Sequence, residues 1–381
     1  MDNFNENDKD LNIEENNIKK SPKNNVRAKK RKHRSVSLTI ILVTLILCCS
    51  IVLSIATIVF SIDIFGISGS NQISEIRIPE GSSVNQISQY LKEAQVIEWP
   101  FLFTSITSLG KNTNQLKAGF YEFKQNMSYS DIISTLKKGG KNDTDRIKIM
   151  FPEGITLYDA AQKLEENEVC DATEFLHQFN EIDIADLEFD DSVPKAGLKM
   201  YNFEGYFFPD TYEFYIGQNP ASVARTIKLN FNTKIYSKFM SDIEKTEYTL
   251  DEILTFASIV QHEAPTYEDM QKVASVFWNR LNNSDKFPKL QSDPTRKYVR
   301  EYIKKYADTQ DEDRMLAYDT YQSDGLPPGA ICNPGVEAIK AVLTPADTEY
   351  YYFCANIETK EIYYAKTLKE HEKNLKKAGI K

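Results

Sequence analysis

The feature that most restricts the fold of this chain is an uncharged, apolar run near its N-terminus. No charged residue lies between Ser35 and Ile62, and the run contains the stretch "LTIILVTLILCCSIVLSIATIVF". At 1.5 Å of rise per residue, a helix of this length crosses a hydrocarbon core of roughly 30 Å. A cleaved signal peptide is the alternative, but its apolar region would span only about 7–15 residues. Residues 35–62 are therefore predicted to form an uncleaved transmembrane helix.

The segments on either side of this run predict its orientation. Residues 1–34 are polar, acidic at first and then basic, a composition that predicts a disordered tail. Five lysines and arginines in positions 29–34 directly precede the run, whereas Asp63 and Glu75 follow it. The positive-inside rule places the basic side in the cytoplasm. We therefore expect a single-pass protein of the cell membrane, with its N-terminus cytoplasmic and the chain after Ile62 extracytoplasmic.

The charge balance argues against one class of partner. The net charge is −9 for the whole chain and +4 for residues 1–34, so the remainder carries −13. Binding of nucleic acid depends on clustered Lys and Arg that neutralise phosphates. We therefore expect no nucleic-acid partner, and a substrate would be held by hydrogen bonds and stacking instead.

The cysteines outside the apolar run predict neither a disulfide framework nor a metal site. Cys170, Cys332 and Cys354 are widely spaced, and they match neither a disulfide scaffold nor a zinc motif. The favoured interpretation is that they are buried thiols.

An internal repeat is visible after the apolar run. The segments "IRIPEGSSVNQISQYLKEAQVI" (76–97) and "IMFPEGITLYDAAQKLEENEVC" (149–170) share an extended apolar start, a Pro-Glu-Gly turn and an amphipathic helix. A looser third copy is "YEFKQNMSYSDIISTLKKGG" (121–140). Because such units cannot each bury a face alone, we expect residues 72–145 to pack together as a small α+β module.

Each copy of the repeat opens its helix with capping chemistry. In such pairs a hydroxyl side chain and a polar residue three positions later serve backbone N–H groups at the start of a helix. The pairs are Ser83 with Gln86, Ser128 with Asp131, and Thr156 with Asp159.

An aromatic cluster follows the second repeat. The stretch "YNFEGYFFPDTYEFY" (201–215) has eight aromatic residues in fifteen positions. Aromatic faces can stack on sugar rings, but aromatic side chains more often fill a core. Core packing is the favoured interpretation for each ring, and stacking stays open.

The stretch "TLDEILTFASIVQHE" (249–263) predicts a helix that ends on a carboxylate. Its apolar residues recur at helical spacing and Pro265 stops it, so we expect helices at 251–264 and 267–282. Glu263 follows Ile259 by four residues and Val260 by three, which places it on the apolar face. Partial burial and the negative end of the helix dipole would both raise its pKa. A glutamate near neutrality suits a general acid.

Two other interpretations of this stretch are weighed. Glu263 could simply finish the helix by bonding to a neighbour. His262 with Glu263 starts a zincin-like pattern, but that pattern needs a second His four residues after the first, and position 266 is Thr. No metal site is therefore expected.

Six motifs give the sequence a family resemblance. In chain order they are "FEGYFFPDTY", "ASIVQHE", "KVASVFWNRL", "LQSDPT", "AYDTYQSDGLPPGAICNPG" and "TPADTEYYYFCA". Together, behind a single membrane span, they resemble the endolytic murein transglycosylase (YceG-like) family over roughly residues 70–381. The resemblance implies an enzyme that cuts the β-1,4 bond between N-acetylmuramic acid (MurNAc) and N-acetylglucosamine (GlcNAc) in nascent peptidoglycan strands, without cofactor or metal, leaving 1,6-anhydro-MurNAc ends.

The resemblance also implies site residues and domains. The catalytic acid would be Glu263, in the ASIV-x-x-E motif. The residues expected to hold sugar hydroxyls and acetamides are Asn279, Gln291, Asp293, Thr295, Tyr321 and Asn333. Residues 72–145 would be a LysM-like module, residues 146–381 the catalytic domain, and the overall class α+β. By analogy, peptidoglycan synthases are plausible partners.

Two residues and one segment depart from the family pattern, and two rival functions stay open. Asp319 stands where Asn is usual, Phe203 stands where Leu is usual, and the segment 296–316 fits no motif. A hydrolytic muramidase would pair Glu263 with Asp293 or Asp319. A non-catalytic, membrane-anchored wall-binding scaffold would leave Glu263 idle.

Overall fold

The computed structural model describes residues 33–67, 69–142, 145–181, 187, 189, 193, 197–306 and 311–380. The predicted cytoplasmic tail therefore lies outside the described residues, except for its last two positions. The chain divides into two compact units, and the boundary in the sequence falls between Val59 and Phe60.

The N-terminal helix α1 spans His33–Ile64. Its part Leu38–Ile64 is long and apolar enough to cross a membrane, with a mean hydropathy of 2.9 and exposed side chains. The hydroxyls of Thr44, Ser54 and Thr57 donate to carbonyls of the preceding turn, which satisfies them without water. The sequence prediction of one apolar, membrane-spanning helix fits this element.

A small α+β unit with its own core follows. Its elements are β1 (Ile73–Ile78), α2 (Val84–Glu93), α3 (Pro100–Leu109), β2 (Gly119–Lys124) and α4 (Tyr129–Lys138). Strands β1 and β2 pair antiparallel, with Ile76 opposite Tyr121. Apolar side chains such as Leu91 and Phe123 form a separate buried cluster between the sheet and the helices. These five elements share one buried cluster, and the bounds of a separate module at 72–145 stay a prediction.

The three predicted helix caps are confirmed. Ser83 and Gln86 form a complete capping box at α2, and Ser128 accepts the backbone N–H of Asp131 at α4. Thr156 likewise accepts the N–H of Asp159. That third cap starts α5 (Leu157–Glu166), which follows β3 (Arg146–Met150).

The remaining chain is helix-rich. Its further elements are α6 (Ala172–Glu181), β4 (Thr211–Tyr215), α7 (Pro220–Phe231), α8 (Ser237–Ile243), α9 (Leu250–Glu263), α10 (Tyr267–Leu281), α11 (Asp293–Tyr298), α12 (Lys304–Tyr306), α13 (Glu312–Tyr318), α14 (Val336–Leu343), β5 (Tyr352–Ala355), β6 (Ile362–Ala365) and α15 (Leu368–Lys377). The segments Asn232–Tyr236 and Val299–Ile303 are π-helical. Strand β3 pairs antiparallel with β4, and β5 with β6. Mixed α+β architecture is therefore observed.

The core of this larger part surrounds α9. This helix is buried on almost every side, and it packs against α14 and α10. Seven of the eight aromatic residues in 201–215 are buried, and only Tyr201 is partly exposed. Core packing is thus the correct interpretation of the aromatic cluster, and stacking on sugars is not available to those seven rings. Cys332 and Cys354 are buried thiols, and Cys170 is partly buried.

The small unit is joined to the larger part by polar and aromatic contacts. Glu75 on β1 accepts hydrogen bonds from Gln218 and Ser222, and burial raises its pKa. The ring of Phe120 stacks on that of Tyr215 at 4.1 Å. Strands β1 and β2 therefore lie against the start of α7 and the end of β4.

Candidate active site

The position of Glu263 follows from two helix caps. Thr249 and Glu252 form a capping box that starts α9, and the helix ends at Glu263. Residue 264 is extended because Pro265 disfavours helical backbone in the residue before it. Thr266 then caps α10 by accepting the N–H of Asp269. The predicted helices 251–264 and 267–282 are confirmed to within one residue at each end.

The carboxyl of Glu263 lies in a site that favours its neutral form. Burial raises the pKa of Glu263 to about 7, and the nearby charge of Asp293 acts in the same direction. Ser292 Oγ donates to Glu263 Oε1 at 2.7 Å, which opposes the rise. The pKa is thus raised in the direction that the helix position predicted. A carboxyl of this kind can donate a proton near neutral pH and take it back.

The segment facing Glu263 is the start of α11. Gln291 has the left-handed φ of +57°, which is strained for a residue with a side chain. Ser292 follows in the N-cap position, but its side chain turns to Glu263 instead of capping α11. The backbone N–H of Gln291 donates to Thr320 O, and that of Ser292 donates to the side-chain oxygen Thr320 Oγ1. These two hydrogen bonds hold the turn in place. The strained backbone at Gln291 therefore directly precedes the residue, Ser292, whose side chain turns to the Glu263 carboxyl.

Two more predicted residues lie beside this turn. Tyr321 Oη donates to Asp293 Oδ1 at 2.9 Å, and the Arg296 guanidinium lies 4.1 Å above the centre of the Tyr321 ring. Burial, together with the bond to Asp293, raises the pKa of Tyr321 to about 12, so it remains a donor. The structure thus brings Glu263, Asp293 and Tyr321 together, with Gln291 at the edge.

Asp319, the departure from the family pattern, is bound by protein groups. It accepts from Arg296 Nε at 3.2 Å, Gln322 Nε2 at 2.8 Å and Tyr321 N at 3.0 Å. Burial acts to raise its pKa, but these bonds prevail and lower the pKa of Asp319. Asp319 is therefore an ionised anchor that fixes Arg296 over Tyr321.

Three predicted site residues are engaged in the protein framework. Asn279 donates to the carbonyls of residues 348 and 350, and lines a separate groove with Ser275 and Trp278. Thr295 is fully buried and donates to the Ser292 carbonyl at 2.7 Å. Asn333 is also fully buried. Their substrate-binding role stays a prediction.

Asn333 and Glu204 form a buried centre that sequence reasoning missed. Asn333 Oδ1 accepts from Gly205 N at 2.9 Å and Phe207 N at 3.0 Å. Asn333 Nδ2 donates to the residue 155 carbonyl at 3.0 Å and to Glu204 Oε1 at 3.1 Å. Burial raises the pKa of Glu204 to about 8. A lone carboxylate inside the aromatic run "FEGYFF" was the available signal for this centre.

Glu204 also joins the start of α5, directly after the 154–156 turn, to the end of α11. It accepts from Leu157 N at 2.8 Å and from Tyr298 Oη at 3.2 Å. Within the turn, Gly154 has φ +81°, and a Cβ there would lie 3.2 Å from His262 Cε1. Only glycine fits this close approach without strain. The hydrogen bonds of Glu204 and Asn333 therefore hold the 154–156 turn close to the C-terminal end of α9.

A cavity of about 500 Å³ lies at the C-terminal end of α9. His262 and Asp293, the chain neighbours of Glu263 and Ser292, line it. Its other lining residues come from the 154–156 turn, the 294–302 segment and Ile331. A cavity bordered by the chain neighbours of Glu263 and Ser292 is a candidate binding site close to a carboxyl of near-neutral pKa.

Comparison with known proteins gives the class of this chain. Residues 76–377 match the model of the YceG-like family, so the chain belongs to that family. The resemblance found in the six motifs is thereby confirmed.

Named relatives make the class more specific. The chain is 32% identical over 310 residues to an endolytic murein transglycosylase of Bacillus subtilis (strain 168), covering 78% of this chain and 82% of that protein. It is 29% identical over 328 residues to an endolytic murein transglycosylase of Streptococcus pneumoniae (serotype 2, strain D39), covering 81% of this chain but only 59% of that protein. A solved yceG-like protein of Listeria monocytogenes is 28% identical, covering 80% of this chain and 100% of that chain, with a TM-score of 0.49.

Proposed function

We propose that this protein is a lytic transglycosylase that cleaves the MurNAc-GlcNAc β-1,4 bond inside peptidoglycan strands and leaves 1,6-anhydro-MurNAc ends. Membership of the YceG-like family and the names of its relatives support the reaction class. The observation that carries the assignment is the Glu263 carboxyl, whose pKa burial raises to about 7. Its chain neighbour His262 lines a cavity of about 500 Å³. Cleavage within nascent strands would release or terminate them during growth of the cell wall.

The first step is protonation of the leaving group. Ser292 occupies Glu263 Oε1, so we assign the transferable proton to Oε2. Glu263 gives this proton to the glycosidic oxygen while the bond from that oxygen to C1 of MurNAc breaks. General acid catalysis of this kind contributes about 10²–10⁴ in rate.

The second step closes the anhydro ring. The C6 hydroxyl oxygen of the same muramyl residue bonds to C1, and its proton returns to the Glu263 carboxylate. No water is consumed, and Glu263 ends in its starting form. One carboxyl suffices because the nucleophile is part of the substrate and is held at high effective concentration. A hydrolase would need a second carboxyl to act on water or on C1.

The other predicted site residues divide into two groups by their surroundings. Ser292, which was not predicted, positions the Glu263 carboxyl, and Asp293 and Tyr321 form the adjoining surface that we assign to sugar binding. Gln291 Oε1 accepts from Arg280 Nη1 at 3.2 Å, and a contact of its exposed side chain with sugar stays a prediction. Asn279, Thr295 and Asn333 form hydrogen bonds to other protein groups. We therefore assign them an indirect effect on the substrate, in which they maintain the shape of the site.

The location of the reaction follows from the apolar helix. We propose that α1 anchors the protein with its N-terminus in the cytoplasm, because the basic cluster directly precedes the span. We also propose that the strand–helix–helix–strand unit within residues 72–145 is the LysM-like module and that residues 146–381 are the catalytic domain. A link to peptidoglycan synthases stays a prediction.

Mass spectrometry of the products tests the proposed reaction. Full-length protein in detergent is incubated with purified, uncrosslinked peptidoglycan strands, and the new ends are identified. Anhydromuramyl ends are expected. Reducing muramyl ends would overturn the lyase assignment, make water the nucleophile and direct attention to Asp293 and Asp319. No cleavage by folded protein would favour the scaffold.

Replacing Ser292 with Ala is expected to shift the pH dependence of cleavage. The acid must carry its proton, so kcat/KM of the wild type should fall as pH rises through about 7. Ser292 stabilises the ionised form, and Ser292→Ala should move this falling limb upward by about half to one pH unit. The kcat/KM profile of both proteins checks this. Ser284→Ala, at an exposed position, is the control. If the fall of kcat/KM with pH occurred at the same pH in Ser292→Ala as in the wild type, the positioning role of Ser292 would be contradicted.

A further inference from the structure

Helix α3 is an uncharged, apolar helix that stays partly exposed outside the membrane span. No charged residue occurs from Trp99 to Gly110, between Glu98 and Lys111. Its inner face is buried through Phe103 and Thr107, but Phe101 is 52% and Leu109 83% exposed. Exposed apolar side chains on a short helix without charges make its outer face a candidate contact surface.

The start of α3 is fixed to the last turn of α1. Asp63, the first charged residue after the apolar run, accepts the backbone N–H of Glu98 at 3.0 Å and that of Trp99 at 3.1 Å. Tyr129 Oη also donates to Asp63. These bonds tie α3 and the small α+β unit to the turn at which the apolar helix ends.

Three aromatic rings continue this junction. The ring centres of Phe60 and Trp99 are 5.6 Å apart, those of Phe60 and Phe101 5.7 Å, and those of Trp99 and Phe101 6.2 Å. All three pairs meet edge to face, which is a favourable arrangement. Tryptophan and other aromatic residues concentrate where a spanning segment leaves the hydrocarbon core. The cluster therefore has the composition of a membrane–water boundary.

Two hydroxyls on α3 suit the same environment. The hydroxyls of Thr104 and Ser105 donate to helix carbonyls at 2.7–3.0 Å, so less is lost when they leave water. Charges flank the helix only at its two ends, where long side chains can reach the headgroups. Helices that lie in the plane of the interface bury their apolar face by about 5–10 Å, a depth that exposed Phe and Leu side chains can reach.

We propose that α3 docks on the lipid surface around the end of the span, with Phe101 and Leu109 inserted at the headgroup boundary. The partner is lipid, because Phe60 and Asp63 in the last turns of α1 contact the start of α3 directly. The inference stands independently of the proposed reaction. It makes the small α+β unit a membrane-associated unit and not a freely tethered one.

Fluorescence quenching by brominated lipid tests this docking. The chain has two tryptophans, Trp99 and Trp278, so Trp278→Phe leaves a single reporter at the start of α3. Full-length protein is placed in vesicles of equimolar phosphatidylcholine and phosphatidylglycerol, with or without bromine near the headgroup end of the acyl chains. Trp99 should lose about half of its emission in the brominated vesicles.

A second reporter separates docking of the whole helix from contact at its start. In protein carrying Trp99→Phe and Trp278→Phe, Leu109→Trp places the fluorophore at the far end of α3. Leu368→Trp, at an exposed position of α15, is the matched control. Comparable quenching at positions 99 and 109, with little at position 368, is the expected result. Quenching at position 99 alone, at neither position, or equally at position 368 would overturn the proposal.

Discussion

Replacing Glu263 with Gln is expected to lower the rate of strand cleavage by about a thousandfold or more. Glutamine keeps the size of the side chain and an oxygen that can accept from Ser292, but it has no proton to give to the glycosidic oxygen. Loss of general acid catalysis costs about 10²–10⁴ in rate, and here the same group also serves as the base. Release of anhydromuramyl ends, quantified by mass spectrometry at saturating glycan, measures the effect.

The same variant should be folded and more stable at alkaline pH. Burial raises the pKa of Glu263 to about 7, above its ordinary value of 4.5. The neutral carboxyl thus favours the folded state below pH 4.5, and this contribution is lost as pH rises through 7. Glu263→Gln removes the dependence, so its unfolding free energy should exceed that of the wild type above pH 7.

Glu268→Gln, an exposed glutamate in the first turn of α10, is the matched control. It should leave the cleavage rate unchanged, and the loss of its exposed ion pair with Lys272 should change the unfolding free energy by well under about 1 kcal/mol, without the alkaline gain expected of Glu263→Gln. If Glu263→Gln cleaved at the wild-type rate, the acid would have to be another group, and the mechanism proposed above would be wrong.

Replacing Asn333 with Ala is expected to lower the free energy of unfolding by roughly 3–5 kcal/mol. The buried side chain makes four hydrogen bonds, two as acceptor and two as donor. Alanine would leave the N–H groups of Gly205 and Phe207 without this partner inside the core. Each such orphaned group costs about 1–3 kcal/mol. Urea denaturation followed by near-ultraviolet circular dichroism measures the loss.

This experiment also separates the two roles considered for Asn333. Asn282→Ala, at the exposed end of α10, serves as the control and should change the free energy of unfolding little. A framework residue lowers stability when it is removed. Unchanged stability with a raised KM would instead assign Asn333 to the substrate, as the family resemblance implied.

Local patterns predicted the parts of the site that lie close together in the sequence. The helix ending at Glu263 follows from apolar spacing, Pro265 and a capping residue, and all three act within a few positions. The raised pKa of Glu263 follows from its face and its helix end. The repeat and its caps were equally local, and they hold in α2, α4 and α5.

The contacts that complete the site are non-local and carry no periodic signal. Ser292 lies in "LQSDPT" at the N-cap position of α11, and a tertiary contact turns its side chain to Glu263. The pairing of Arg296 with Asp319 likewise crosses a segment that fits no motif. Position alone cannot show which of several nearby polar residues faces the acid.

The bonds of Asn333 bear on when the enzyme becomes active during its synthesis. Its side chain connects residue 333 to residue 155, a separation of 178 positions, and to the Glu204–Phe207 segment. Contacts so distant in sequence form late, because a long loop must close first. As the ribosome makes the chain from its N-terminus, Glu263 emerges well before Asn333. A partly synthesised chain therefore carries Glu263 without the side chain that joins residue 155 to the Glu204–Phe207 segment.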